Sequence, residues 1–288
     1  MSVGDFPVGG RIVAITGGGS GIHLELAKLV HARGAKVVIA DLKLSDEAER
    51  LVDGSKVVFV ETNVANWADL QSIIKLLGDV PDIYVAGAGI FEPPWSNFWD
   101  DTEETAYAAV QINVNHPLKL TRIATRALVG ANKKGVVLIM ASMAGYSGNF
   151  SAPMYSTTKH ALIGFTRSIG DLDAHEGVKV VTICPGIVNT PLWSTNPAAS
   201  ARFGYHESIS ISAQAVAEAE LELIESRQFP GGTVYEISQA GRRTIPTWFV
   251  APPGHDPAKP TEGIAVPPEA IERANAPIWE RLAAERGI

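Results

Sequence analysis

The chain has 288 residues, 46% of them apolar and 19% charged. That is enough apolar material for a sizeable core and too little charge for a disordered chain, and the length allows one large domain or two small ones. A formal charge of −7 argues against a nucleic-acid backbone as partner, and the single cysteine, Cys184, excludes an intrachain disulfide and a multi-cysteine zinc site. No run approaches the roughly 20 apolar residues of a membrane span. Met1 to Gly10 has no basic-then-apolar leader pattern. The expectation is a soluble cytoplasmic protein with no metal, membrane or nucleic-acid partner.

Seven short apolar runs appear in chain order: Ile12–Ile15, Val37–Ala40, Val57–Val60, Ile83–Ala86, Val136–Met140, Val180–Ile183 and Val234–Ile237. They lack strict alternation, which suits strands covered on both faces, as in a parallel sheet. Between them lie helical patterns over Ser20–Arg33, Trp67–Leu77, Thr102–Val129, Met154–His175 and Ala213–Ser226. The alternation predicts βαβ units wound into one open sheet: an α/β fold, Rossmann-type, doubly wound and parallel. A single such domain is placed at residues 8–240. Pro191 to Ser212 is too long for an ordinary connection and is expected to be a lid over residues 191–212. Residues 241–288 form a proline-rich C-terminal extension ending in a short helix, Ile278 to Arg286, that packs on the body or on a neighbouring subunit.

Thr16-Gly17-Gly18-Gly19-Ser20-Gly21-Ile22-His23 follows the first strand and opens a helix. Glycines there let the backbone turn tightly and approach a pyrophosphate, and the helix N-terminus supplies amide donors. The second strand ends in Asp41, 20 residues after Gly21. An acid at that place accepts hydrogen bonds from a ribose diol and repels a 2′-phosphate, which favours NAD over NADP. Lys43 lies close enough to soften that preference. Tyr155 and Lys159 stand at i, i+4 on one helix face. Ser142 precedes Tyr155 by 13 residues, just past the fifth strand. That places it at the C-terminal edge of the sheet, where open α/β folds bind ligands.

The residues Thr16-Gly17-x-x-x-Gly21, Asp41, Asn63-Val64, Ala88-Gly89, Asn115, Ser142, Tyr155-x-x-x-Lys159 and Pro185-Gly186 occur in order. In these the chain resembles the short-chain dehydrogenase/reductase family over roughly residues 8 to 240. Within the family it is most similar to NAD-dependent secondary-alcohol dehydrogenases of the 15-hydroxyprostaglandin dehydrogenase-like kind. The resemblance implies an NAD-dependent oxidoreductase. Tyr155 is its acid/base, Lys159 the cation that lowers the tyrosine pKa and binds the nicotinamide ribose, and Ser142 the hydrogen-bond partner of the reacting oxygen. Asn115 holds a water on the proton path. Cofactor contacts are implied for Thr16, Gly17, Gly19, Ser20, Gly21 and Ile22 at the first turn, and for Asp41, Leu42, Asn63 and Val64 at the adenosine. Ala88, Gly89, Tyr155, Lys159, Pro185, Gly186, Val188 and Thr190 complete the set. The same site could serve epimerisation, elimination or cyclisation, or a regulator could keep the fold without turnover.

The chain departs from the family at three places. His23 replaces the third glycine and is read as a tolerated surface histidine. Ala86-Gly87-Ala88 stands where the family often has Asn-Asn-Ala, and His116-Pro117-Leu118 follows Asn115 without a glycine three residues on. Aromatic residues gather at Phe91, Trp95, Phe98 and Trp99, at Trp193, Phe203 and Tyr205, and near Met143, Tyr146 and Phe150. Met143, Tyr146 and Trp193 are the substrate-contact candidates, and they point to a hydrophobic or aromatic small molecule. Apolar side chains on more than one face of the two long helices, among them Leu120, Ile123, Leu162, Phe165 and Ile169, predict a homodimer or homotetramer.

Overall fold

Each of the seven apolar runs becomes a strand. Residues 2–91, 98–99, 106–247 and 268–287 are described in a computed structural model. In chain order the first half contains β1 (Ile12–Thr16), α1 (Gly21–Ala32), β2 (Lys36–Asp41), α2 (Asp46–Leu51), β3 (Val57–Glu61), α3 (Trp67–Leu77) and β4 (Ile83–Ala86). Then come α4 (Ala108–Val110), a π turn (Gln111–Asn115), α5 (His116–Gly130), β5 (Gly135–Met140), α6 (Pro153–Ser168), α7 (Leu172–Glu176) and β6 (Val178–Pro185). The last third holds β7 (Val188–Asn189), α8 (Pro191–Ser194), α9 (Pro197–Arg202), β8 (Ile211–Ser212), α10 (Ala213–Glu225), β9 (Val234–Ser238), β10 (Gly241–Thr244) and α11 (Pro268–Ala284).

The main sheet runs β10-β9-β6-β5-β4-β1-β2-β3. Every pairing in it is parallel except β10 on β9. The order reverses between β1 and β4, which makes the crevice above their C-terminal ends the topological switch point. Every residue of β6 is buried, as are Val136 to Ile139 of β5, because helices cover both faces. One face packs Leu26, Ala27 and Val30 of α1 with Val216, Leu223 and Ile224 of α10. The other packs Leu70 and Ile73 of α3, Leu120, Ala124 and Leu128 of α5 and Leu162 of α6. No helix among the described residues is long and apolar enough to cross a membrane.

Local chemistry sets the element ends. The Asn66 side chain accepts a hydrogen bond from the Ala68 amide at 2.9 Å and caps α3, which ends at Gly78 in the left-handed region. The Ser212 hydroxyl accepts from the Ala215 amide at 3.1 Å and starts α10. The pattern over Met154–His175 divides into α6 and α7, and helix 108–130 carries the π turn.

The packed body extends beyond residues 8–240 at both ends. Val3, Phe6 and Val8 are buried, and Ile245 follows β10 into the core. The extension ends in a longer helix than expected, α11, with Pro277 inside it. Leu282 is buried, and Trp279 stacks on His175 of α7 with ring centroids 4.0 Å apart. The Arg122 guanidinium of α5 pairs with Glu285, and Arg286 pairs with Glu176. Thus Ile123, Phe165 and Ile169, three of the side chains expected at a subunit contact, pack partly buried against the same apolar cluster as Trp279.

Candidate active site

The β1–α1 turn must bring backbone close to β4 and leave α1 open at its end. Gly17 has φ +71°, and a Cβ there would lie 2.6 Å from the Ala88 amide nitrogen, so the approach requires glycine. Ser20 occupies the N-cap without making a side-chain cap hydrogen bond, and the first turn of α1 carries no acidic residue. Its first amides are therefore available to an anion from outside. Asp41 ends β2 and ties this loop down: its carboxylate accepts from the Gly19 amide at 2.9 Å and from the Leu42 amide at 2.7 Å.

The turn opens into a cleft of about 1190 Å³ across the switch point. Of the sequence-predicted residues it is lined by Gly17, Gly19, Ser20, Gly21, Ile22, Asp41, Leu42, Asn63 and Val64 at one end. Ala88, Gly89, Ser142, Met143, Tyr155, Lys159, Pro185, Gly186, Val188, Thr190 and Trp193 line the remainder. The glycine turn, the open helix end and the acid at the β2 terminus fit a nicotinamide dinucleotide.

Ser142 sits where β5 ends, with its hydroxyl accepting from the Ala144 amide at 3.2 Å. Burial raises the Tyr155 phenol above its ordinary pKa, and a hydrogen bond to Ser142 pulls it back down. In the protein alone desolvation is the largest influence on this phenol. The Lys159 ammonium lies 5.4 Å from the Tyr155 ring centroid and donates to the Met140 carbonyl at 2.8 Å. Lys159 is buried, and desolvation brings it down to about 8.

Three sequence-predicted residues are placed elsewhere. Asn115 does not line the cleft; its amide donates to Gln111 at 2.8 Å along the π turn. Asn113, two residues earlier, is the buried asparagine of this helix. It accepts from the Ile90 amide at 2.9 Å and donates to the Ile90 carbonyl at 2.8 Å and to Thr158 at 3.2 Å. A Cβ on Gly89 would meet Asn113 Oδ1 at 3.3 Å and Lys159 Nζ at 3.8 Å, so both groups lie beside that glycine. Thr16 lies behind the cleft wall: its hydroxyl donates to the Val85 carbonyl at 3.0 Å and accepts from the Gly87 amide at 3.0 Å. Tyr146 turns away from the cleft and gives its hydroxyl to Glu236, which also holds Arg243.

His23 is not a surface histidine. It is 5% exposed, lines the cleft wall, and its Nε2 stands 3.2 Å from Glu220 of α10, itself fully buried. His116 is also buried, with Nε2 3.0 Å from the Thr16 hydroxyl, and desolvation lowers it to about 4, so it is neutral near pH 7. Neither partnership has a local sequence signal, because Glu220 and Thr16 lie far away in the chain. Phe91, one of the grouped aromatics, lies against Tyr155 with centroids 4.8 Å apart. Trp95 lies outside the described residues. Trp99 packs edge-on to Phe98 and tilted against Phe150, away from the cleft lining.

A doubly wound sheet whose switch-point cleft gathers a glycine turn, an acid and a serine–tyrosine–lysine cluster defines a Rossmann-type α/β protein. The short chain dehydrogenase model matches residues 11–200, and the chain belongs to the short-chain dehydrogenase/reductase family. It is 30% identical over 188 residues to short-chain dehydrogenase/reductase prx4 of Penicillium roqueforti, covering 64% of this chain and 56% of that protein. The chain thus spans little more than half the length of that relative. It is 30% identical over 227 residues to short-chain dehydrogenase reductase 3a of Arabidopsis thaliana, covering 74% of this chain and 88% of that one. A crystal structure from Agrobacterium tumefaciens superposes with a TM-score of 0.69 at 22% identity, covering 81% of this chain and 97% of that one. That protein is provisionally assigned as a 2-deoxy-d-gluconate 3-dehydrogenase and has NADP bound. The likeness shows the shared fold.

Proposed function

We propose that the chain is an NAD(H)-dependent oxidoreductase that interconverts a secondary alcohol and a ketone on a hydrophobic or aromatic small molecule. The observation that carries this is the meeting of Ser142, Tyr155 and Lys159 in the same cleft as the glycine turn and Asp41. In this reading Ser142 holds the reacting oxygen and Tyr155 exchanges a proton with it. Lys159 contributes charge beside the phenol and a donor for the ribose. Asn113, not Asn115, occupies the supporting position beside Lys159. When bound, the nicotinamide supplies the hydride acceptor or donor and, oxidised, a further positive charge near the phenol. Burial keeps Tyr155 protonated in the protein alone, so it stands ready to donate to a carbonyl; acting as a base requires the added cationic charge.

The resemblance to 15-hydroxyprostaglandin dehydrogenase-like members belongs to the same proposal, as does a mobile cover made of residues 191–212. Asp41 favours NAD over NADP because its carboxylate, fixed by Gly19 and Leu42, brings negative charge to the adenosine end. Asp41→Ala should weaken NADH binding and relax discrimination against NADPH. Tighter binding of NADPH than of NADH by the unchanged protein would contradict the preference. The reaction class is tested by incubating the protein with NAD and a panel of secondary alcohols and measuring product mass. Loss of two hydrogens with matching NADH formation is expected; products of unchanged mass would support epimerisation instead.

A further inference from the structure

Four aromatic rings form a connected cluster that reaches the Tyr155 ring through Phe91. Phe91 follows β4, Trp193 belongs to α8, Phe203 ends α9, and Tyr205 lies beyond it. Phe91 is the hub. Its centroid lies 4.8 Å from Tyr155 at 61°, 4.9 Å from Phe203 at 84°, and 5.7 Å from Trp193 at 49°. Tyr205 stacks on the Trp193 indole at 5.3 Å and 7°, and its hydroxyl donates to Asn189 at 3.0 Å, which fixes the indole plane. Phe91 and Trp193 line the cleft, while Phe203 and Tyr205 back them. Rings held in such edge-to-face and stacked arrangements present fixed faces and edges, each favouring another ring over an aliphatic group of equal area.

Among the described lining residues, Asp41 and Lys43 lie at the β2 end, His23 stands 3.2 Å from Glu220, and Lys159 bonds the Met140 carbonyl.

We propose that Phe91 and Trp193, backed by Phe203 and Tyr205, form a subsite for a flat aromatic ring borne next to the reacting carbon, with Phe91 as its specificity-determining residue. This rests on the oxidoreductase reading only in placing the reacting oxygen at Tyr155. The ring would replace part of the contact that the aromatic residues now make with one another, beside the hydroxyl that exchanges the proton.

The test compares two methyl ketones that differ mainly in ring planarity, acetophenone and cyclohexyl methyl ketone, by calorimetric titration into the NADH-loaded protein. The unchanged protein should bind acetophenone roughly tenfold more tightly, the size expected from one or two specific ring contacts. Phe91→Leu and Phe91→Ala should bring the two ketones within about twofold, while Phe91→Tyr should keep the preference; NADH affinity, measured separately, reports that the variants are folded. Equal binding of both ketones, binding of neither, or a preference that survives Phe91→Ala would overturn the subsite. NADH oxidation is followed in the same samples and judges the other reading separately. Ring-selective binding without oxidation would uphold the subsite and contradict the oxidoreductase. Oxidation without ring selectivity would do the reverse.

Discussion

A Cβ on Gly87 would lie 2.4 Å from the His23 ring, so the glycine on β4's exit and the histidine on α1 share one volume. Two of the three departures from the family pattern are thus a single exchange: a side chain added at 23 fills the space given up at 87. Gly87→Asn should therefore cost about 1–3 kcal/mol through overpacking. The double variant His23→Gly with Gly87→Asn should recover most of that loss, and additive losses in a denaturation cycle would contradict the coupling. His116 supplies a pH signature. Its folded pKa of about 4 lies below the ordinary imidazole value of 6.5, so the unfolded chain binds the extra proton between those values. Its contribution to stability is full above about pH 6.5 and falls away as pH drops toward 4, with a slope of at most about 1.4 kcal/mol per pH unit. His116→Gln should flatten that part of the stability profile; an unchanged profile would place the titration elsewhere.

At the scale of elements, the π turn decides which asparagine is buried beside Gly89. Asn113 and Asn115 are two residues apart, and a uniform helical period gives no reason to prefer the first. The π turn changes the local register, burying Asn113 against Ile90 while Asn115 bonds back to Gln111. Asn113→Ala should lower turnover at least tenfold and cost about 1–3 kcal/mol, since it leaves both polar groups of Ile90 without their partner. Asn115→Ala should change stability by less than about 0.5 kcal/mol. Equal effects on turnover would return the role to Asn115. The strands were legible because runs such as Val136–Met140 are apolar on both faces, and Tyr155 and Lys159 because their spacing is local. The start of α11 was not, because Pro277 reads as a helix boundary. Buried Leu282 and stacked Trp279 hold the helix through a residue that costs about 3 kcal/mol in isolation.

For the whole molecule, the extension returns to the body and covers part of α5 and α7. Ending the chain after Thr247 would expose the surface under Trp279 and Leu282 and break the pairs at Arg122 and Glu176. A fall in Tm of roughly 5–10 °C is expected, corresponding to about 3 kcal/mol of lost apolar burial. NADH affinity should be retained, because the cleft is built from other elements. An unchanged Tm would show that α11 adds nothing to the cooperative unit. The proposed dimer or tetramer must then use surface that α11 leaves open, and sedimentation of the full chain at micromolar concentration addresses it; a single species of one-chain mass would contradict the oligomer.

The central claim is that Tyr155 moves the proton in a nicotinamide-coupled alcohol–ketone interconversion. Its most direct test is steady-state NADH absorbance for the unchanged protein and Tyr155→Phe on the same alcohol, with cofactor affinity measured alongside. The account predicts a loss of turnover of at least about a hundredfold with NADH affinity nearly unchanged, as expected when an acid/base hydroxyl is removed. Turnover close to that of the unchanged protein would contradict it.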